Sequence, residues 1–202
     1  QSVSMPASAG RWAYVWQWGQ FLDHDITLTP VDSDPMPIGV NAMSVNGTMD
    51  PLAPMIPMSR SSFDPTTGTG VDNPRQQINV NSSFIDASMV YGSDASRANS
   101  LRTLSGGQLL TTVGGSMLPK NSGGMPNAND GMEPDETLFL AGDLRANEQP
   151  GLTAMHTMFV REHNRLATQI AIDQPTWTDE QVFQKARKYV GGLVQNVTYR
   201  EY

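Results

Sequence analysis

The segment Trp18-Gly-Gln-Phe-Leu-Asp-His-Asp25 sets an amide, an imidazole and two carboxylates almost side by side. In a helix, Gln20 and His24 share one face and Asp23 borders it, because positions three and four apart are neighbours. A histidine there can accept and return a proton near neutrality, its ordinary pKa being about 6.5. Asp25 points off that face and is free for a second role. Two close, charged carboxylates would raise the imidazole pKa, so a working base needs at least one of them neutralised. A cation on Asp25 or a covalent bond at Asp23 would do so. The same residues also read as a helix end with ordinary surface acids.

Two further groups carry chemistry. Ser82, Phe84, Asp86 and Ser88 alternate along a short stretch. Hard cations such as calcium take six to eight oxygens from carboxylates, hydroxyls and carbonyls. Phe84 can give only its carbonyl, and Asp25 is a sensible further ligand. The pattern is not an EF-hand, and a capped helix start is the competing reading. In Leu140-Ala-Gly-Asp-Leu-Arg-Ala-Asn-Glu148, Arg145 and Glu148 are three apart. They form either a weak surface pair or a fixed cation beside a carboxylate at a reacting centre.

These groups must be held by a mainly α framework with long loops. Residues 10–25 show Trp12, Val15, Trp16, Gly19 and Leu22 as one apolar helix face, and Pro30 ends any continuation. Residues 30–78 have no sustained period and are expected to be irregular, with one short strand at most. Residues 79–93 read as a loop entering a short helix that Gly92 stops. Ser93 is the expected cap of another helix through Leu101. Residues 105–137 read as a long surface loop with a hairpin near 109–113. Two long helices follow. Leu152, Met155, Phe159, Leu166 and Ile170 mark the buried face of the first, which Pro175 ends. Thr178 and Gln181 form a capping box for the second. Its stripe is Val182, Phe183, Ala186, Tyr189, Val190, Leu193 and Val194.

Composition narrows the function. The 202 residues suffice for one domain with a core. Hydrophobic content of 38% and charged content of 16% are both low, the balance lying in loop-forming residues. A net charge of −7 without a Lys/Arg cluster argues against nucleic acid or an anionic membrane as partner. The absence of cysteine excludes disulfides and thiolate chemistry. No apolar run reaches the ~20 residues of a membrane span, and the first residues lack the pattern of a signal peptide. Both ends read as cut, as in a fragment of a longer chain. Asn46, Asn81 and Asn196 fit the glycosylation sequon, the last two by chance.

Trp18–Asp25, Ser83-Phe-Ile-Asp-Ala-Ser-Met-Val-Tyr-Gly-Ser93, Phe139–Glu148 and Arg161-Glu-His-Asn-Arg-Leu-Ala167 occur in that order. Together they resemble the animal-type haem peroxidases of the peroxidase–cyclooxygenase superfamily. The resemblance implies a mainly α haem peroxidase fold, of which residues 1–202 would be the N-terminal-to-middle portion. It implies His24 as the distal histidine, Arg145 as the distal arginine and Gln20 as the distal glutamine holding water or a halide. It implies haem b, ester-linked through Asp23 and Glu148, and calcium on Asp25, Ser82, Phe84, Asp86 and Ser88. The expected reaction is reduction of hydrogen peroxide with oxidation of a halide, thiocyanate or a phenol. A secreted protein is the expected setting.

Departures matter as much. Gln149 stands where some members have a methionine bonded to the haem, so that link is not expected, and bromide, iodide or thiocyanate are favoured over chloride. Lack of cysteine suggests a bacterial-type relative. The family's proximal histidine is expected beyond Tyr202, with His163 structural and neither His156 nor His163 replacing it. A fatty-acid dioxygenase of the same superfamily and a non-catalytic binding module are the rivals. Asp23 and Glu148 argue against the first, and intact Gln20, His24 and Arg145 against the second.

Overall fold

A computed structural model describes residues 14–40, 48, 53–129 and 131–202. Trp12 and Asn46 lie outside them. The chain divides into two compact units, residues 14–27 with 81–202 and Leu28–Val80.

The first unit is helical and carries every candidate site residue. Helix α1 spans Tyr14–Ile26, and short α2 spans Ser88–Tyr91 before Gly92 stops it at φ 89°. Helix α3 is Ala95–Ser100, α4 is Pro150–Asp173 and α5 is Asp179–Glu201. The expected box at Thr178 and Gln181 is present. The cap of α3 is Asp94 rather than Ser93: the Asp94 carboxylate accepts from Arg97 N at 2.9 Å, a stronger acceptor one residue later.

The core forms where α1, α2, α4 and α5 meet. Phe21 stacks on Phe159 at 5.2 Å between ring centroids, with Trp18 tilted against both. Met89, Val90, Leu152, Met155, Val190 and Val194 complete it. Ala167, Ile170, Val182 and Ala186 make a smaller cluster between α4 and α5. The expected α1 face needs correction. Trp16 is 62% exposed, and the buried face is Gln17, Trp18, Phe21, Leu22, His24 and Asp25. Apolar spacing misplaces it because half of that face is polar. Similarly, Tyr189 and Leu193 of α5 are exposed.

The described residues of 105–137 are loop, as expected, except for a single 3-10 turn at Asp135–Thr137. The described residues show no hairpin at 109–113. Leu109 bridges Arg102 and Lys120 bridges Phe139 instead.

The second unit holds more strand than expected. β1 (Val31–Pro35) pairs antiparallel with β4 (Ser59–Ser61), and β2 (Ile38–Gly39) with β3 (Met55–Ile56). These strands are too short and too exposed to leave a period of two in the sequence.

Candidate active site

His24 lies in the last turn of α1 and is only 3% exposed. Its Nε2 is 3.9 Å from Glu148 Oε2, and its Nδ1 is 3.7 Å from Asp143 Oδ1. Gln20, one turn earlier, donates from Nε2 to Glu148 Oε2 at 2.9 Å. The expected convergence of Gln20 and His24 is therefore present, with Glu148 supplied from far along the chain. Burial, and then the charge of Arg145, hold the His24 pKa below its ordinary value. Asp143, Asp23 and Glu148 do push upward, but desolvation of the imidazolium outweighs them.

Arg145 departs from expectation in its partner. Residues 143–148 form turns rather than a helix, and Arg145 pairs with Asp143, not Glu148. Nε donates to Asp143 Oδ1 at 2.9 Å and Nη2 to Oδ2 at 2.8 Å, a two-pronged clamp. Nη2 also donates to the Thr27 carbonyl at 2.8 Å, so the cation sits at the carbonyl end of α1. That leaves Nη1 as the outer edge, 3.9 Å from Asp23 Oδ2.

Asp143 is the residue that spacing alone did not reveal. It is 4% exposed, and its pKa is lowered: burial pushes it up, but hydrogen bonds and charge from Arg145 prevail. Its N–H donates to the Met89 carbonyl at 2.9 Å. Gly142 makes that approach possible, since a Cβ there would lie 2.4 Å from the Val90 carbonyl carbon. The Ala-Gly-Asp-Leu-Arg string held the signal, an acid two residues before an arginine behind a glycine.

Asp25 turns away from the imidazole, as expected, and is fully buried. Its carboxylate accepts from the backbone N–H of Asp86 at 3.1 Å, Ala87 at 3.0 Å and from Ser88 Oγ at 2.7 Å. Burial raises its pKa. Ser82 Oγ donates to Asp86 Oδ2 at 3.0 Å, and the Phe84 carbonyl accepts from Asp86 N at 3.0 Å. The structure thus gathers Asp25, Ser82, Asp86 and Ser88 into one oxygen-rich knot with the Phe84 backbone at its edge. Among the described residues no three His, Cys, Asp or Glu side chains converge as a metal-binding cluster. Hydroxyls and carbonyls would have to supply most ligands, as a hard cation accepts. In this structure both Asp25 oxygens accept from N–H and O–H donors, which an ion would have to displace.

Trp16, Gln20 and Asp23 share one side of α1. The side chains of Asp23 and Glu148 are each 55% exposed, at the rim of a buried imidazole. Of the other histidines, His163 lies apart, and His156 is buried behind the site, where the charges of Asp143 and Arg145 act on it. His163 accepts or donates at 2.8 Å with Tyr91 Oη and at 2.8 Å with the Gly107 carbonyl, deep between elements. His156 packs edge-on to Phe21 at 5.0 Å. Asn81 Nδ2 donates to the His24 carbonyl at 2.9 Å, a structural role for that sequon asparagine.

Comparison with known proteins fits this geometry. The chain is 40% identical to myeloperoxidase of Mus musculus over 92% of its length and 29% of that protein. It is 35% identical to eosinophil peroxidase of Mus musculus over 100% of its length and 31% of that protein. It therefore spans about three tenths of these relatives. Among solved structures, peroxidase A from Dictyostelium discoideum superposes with a TM-score of 0.78 at 33% identity, over 92% of this chain and 38% of that one. A fatty acid alpha-dioxygenase of Oryza sativa gives 0.69 at 26% identity, over 90% of this chain and 26% of that one. The family model described as animal haem peroxidase matches residues 2–202, and the chain belongs to that family.

Proposed function

We propose that this chain is the distal portion of a haem peroxidase catalytic domain that reduces hydrogen peroxide and oxidises a small anionic or phenolic donor. The observation that carries the reading is the convergence at Glu148 Oε2 of Gln20 Nε2 and His24 Nε2, beside an arginine clamped by a buried aspartate.

Haem, when bound, supplies the electrons that reduce peroxide and the oxidising power then spent on the donor. The residues of this chain do the rest. With its proton on Nδ1, on the Asp143 side at 3.7 Å, the neutral imidazole keeps the Nε2 lone pair as the base. His24 Nε2 takes the proton from one peroxide oxygen and returns it to the other, where water leaves. Arg145 presents Nη1 to the charge that builds on the separating oxygens, and its clamp fixes that cation in advance. Gln20 offers an N–H to water or an anion. Asp23 and Glu148 would hold haem as esters, and an ester at Asp23 removes one charge from beside His24. Asp25, Ser82, Phe84, Asp86 and Ser88 would hold calcium. An ion there would fix the C-terminal turn of α1, and His24 with it. The iron's proximal ligand would come from chain beyond these residues, and secretion is the setting this reading favours.

The test uses the full-length protein loaded with haem. Peroxide-dependent oxidation of bromide, iodide, thiocyanate or a phenol is expected. His24→Ala should slow the peroxide step by about 10²–10⁴-fold in stopped flow. An unchanged rate would remove His24 from the mechanism. The likeness to the dioxygenase supports a second reading, oxygenation of fatty acids. Oxygen uptake with fatty acids and no peroxide turnover would establish that one instead.

A further inference from the structure

One backbone hydrogen fixes the direction of three side-chain amides beside the site. Gln149 caps α4, its Oε1 accepting from Gly151 N at 2.7 Å. A backbone N–H can meet only the oxygen of that amide, so the Gln149 Nε2 must point the other way. Nε2 donates to Gln17 Oε1 at 2.6 Å and to Gln20 Oε1 at 3.0 Å. Each of those amides is then oriented in turn. Gln20 must place Nε2 on its far side, where it donates to Glu148 Oε2. Gln17 is oriented even at a cost, since its own buried Nε2 meets no partner among the described residues. The packing leaves no slack. A Cβ at Gly151 would fall 2.4 Å from Gln17 Oε1 and 2.9 Å from Gln149 Oε1.

We propose that Gln149 is a positioning residue that, together with the acceptor oxygen of Glu148, holds the polarity of the Gln20 amide, so that the site offers a ligand N–H donors rather than a carbonyl. The selected ligands are those that accept hydrogen bonds there: a halide, a pseudohalide or a peroxide oxygen. The amide order does not depend on whether Glu148 is free or esterified, because an ester carbonyl still accepts from Gln20 Nε2. The ligand selectivity rests on the haem peroxidase reading above; the order of the amides does not.

Two measurements separate these claims. The first is a crystal structure of the full-length protein without haem, at a resolution that distinguishes amide oxygen from nitrogen. Gln20 Oε1 toward Gln149 is the expected result, and the reverse orientation would overturn the proposal whatever the protein's activity. The second is binding of thiocyanate to the haem-loaded protein, followed by its absorption spectrum. Gln149→Ser keeps an N-cap oxygen but cannot reach Gln20. Affinity should fall about tenfold, with the thermal midpoint held. Unchanged affinity would overturn the proposal while leaving the peroxidase reading intact. Failure of the parent protein to bind haem would instead overturn that reading and the ligand selectivity with it. Gly151→Ala, which pushes directly on the Gln17 and Gln149 amides, should weaken thiocyanate in the same direction.

Discussion

Asp143 does two jobs at once, and residue types explain why it needs burial to do them. Exposed, an Asp–Arg pair two residues apart would be floppy and worth little. Buried at the base of α1, the same pair is held by three hydrogen bonds from Arg145 and sits below the His24 ring. Asp143→Ala would leave Arg145 without its counter-charge and should cost about 3 kcal/mol, read from the urea midpoint of the full-length protein. Because its folded pKa is lowered, Asp143 contributes stability that is full above its unfolded value near 4 and lost as pH falls through the folded one. Asp143→Asn should therefore flatten the acid limb of stability against pH, and an unaltered limb would show that the pair contributes nothing. Gln20, His24, Arg145 and Glu148 were legible in the sequence because their types announce chemistry. Asp143 was not, since its importance comes from a depth of burial that only Gly142 and α2 create.

At the scale of elements, the long helices were legible because period and caps agree, as at Thr178 and Gln181. The α1 face and the short strands were not, because burial of Gln17, His24 and Asp25 breaks the apolar pattern and two-residue strands have no pattern to read. Helix α4 places His156 and His163 on its buried side, and burial lowers both pKa values to about 4. Between about pH 6.5 and 4 the unfolded chain binds protons that the folded chain refuses. Stability is thus full above pH 6.5 and falls as pH drops, by up to about tenfold in the folding constant per histidine per pH unit. Denaturant midpoints of the full-length protein from pH 7 to 5 should show this slope, and His156→Leu should reduce it. A flat profile would mean that the rings take up protons without unfolding α4. The knot joining the end of α1 to residues 82–88 gives a separate expectation. Calcium should raise the thermal midpoint of the full-length protein and a chelator should lower it. Asp25→Ala should abolish both responses, and a midpoint indifferent to calcium would discard the site.

Across the whole molecule, the two rim carboxylates come from segments distant in sequence, α1 and the turns before α4, yet Glu148 reaches the α1 residue Gln20 directly. If both become esters, haem is more than a bound cofactor: it is a covalent bridge closing a loop of more than a hundred residues. By loop-entropy reasoning such a bridge is worth about 4–5 kcal/mol. The two functions of the bridge, retention and stabilisation, then respond differently to mutation. Asp23→Asn or Glu148→Gln alone leaves one ester, so haem should stay with the full-length protein through acid–acetone extraction. Either change nevertheless opens the loop and should lower the thermal midpoint as much as the double variant does. Only the double variant should release its haem. Free haem from the unmutated protein would sink both ester assignments. Release from one single variant would assign the attachment to that carboxylate alone, with no bridge and no stabilisation beyond ordinary binding. Both carboxylates lie over half exposed beside a histidine that is almost wholly buried. Haem held by both carboxylates would cover that rim.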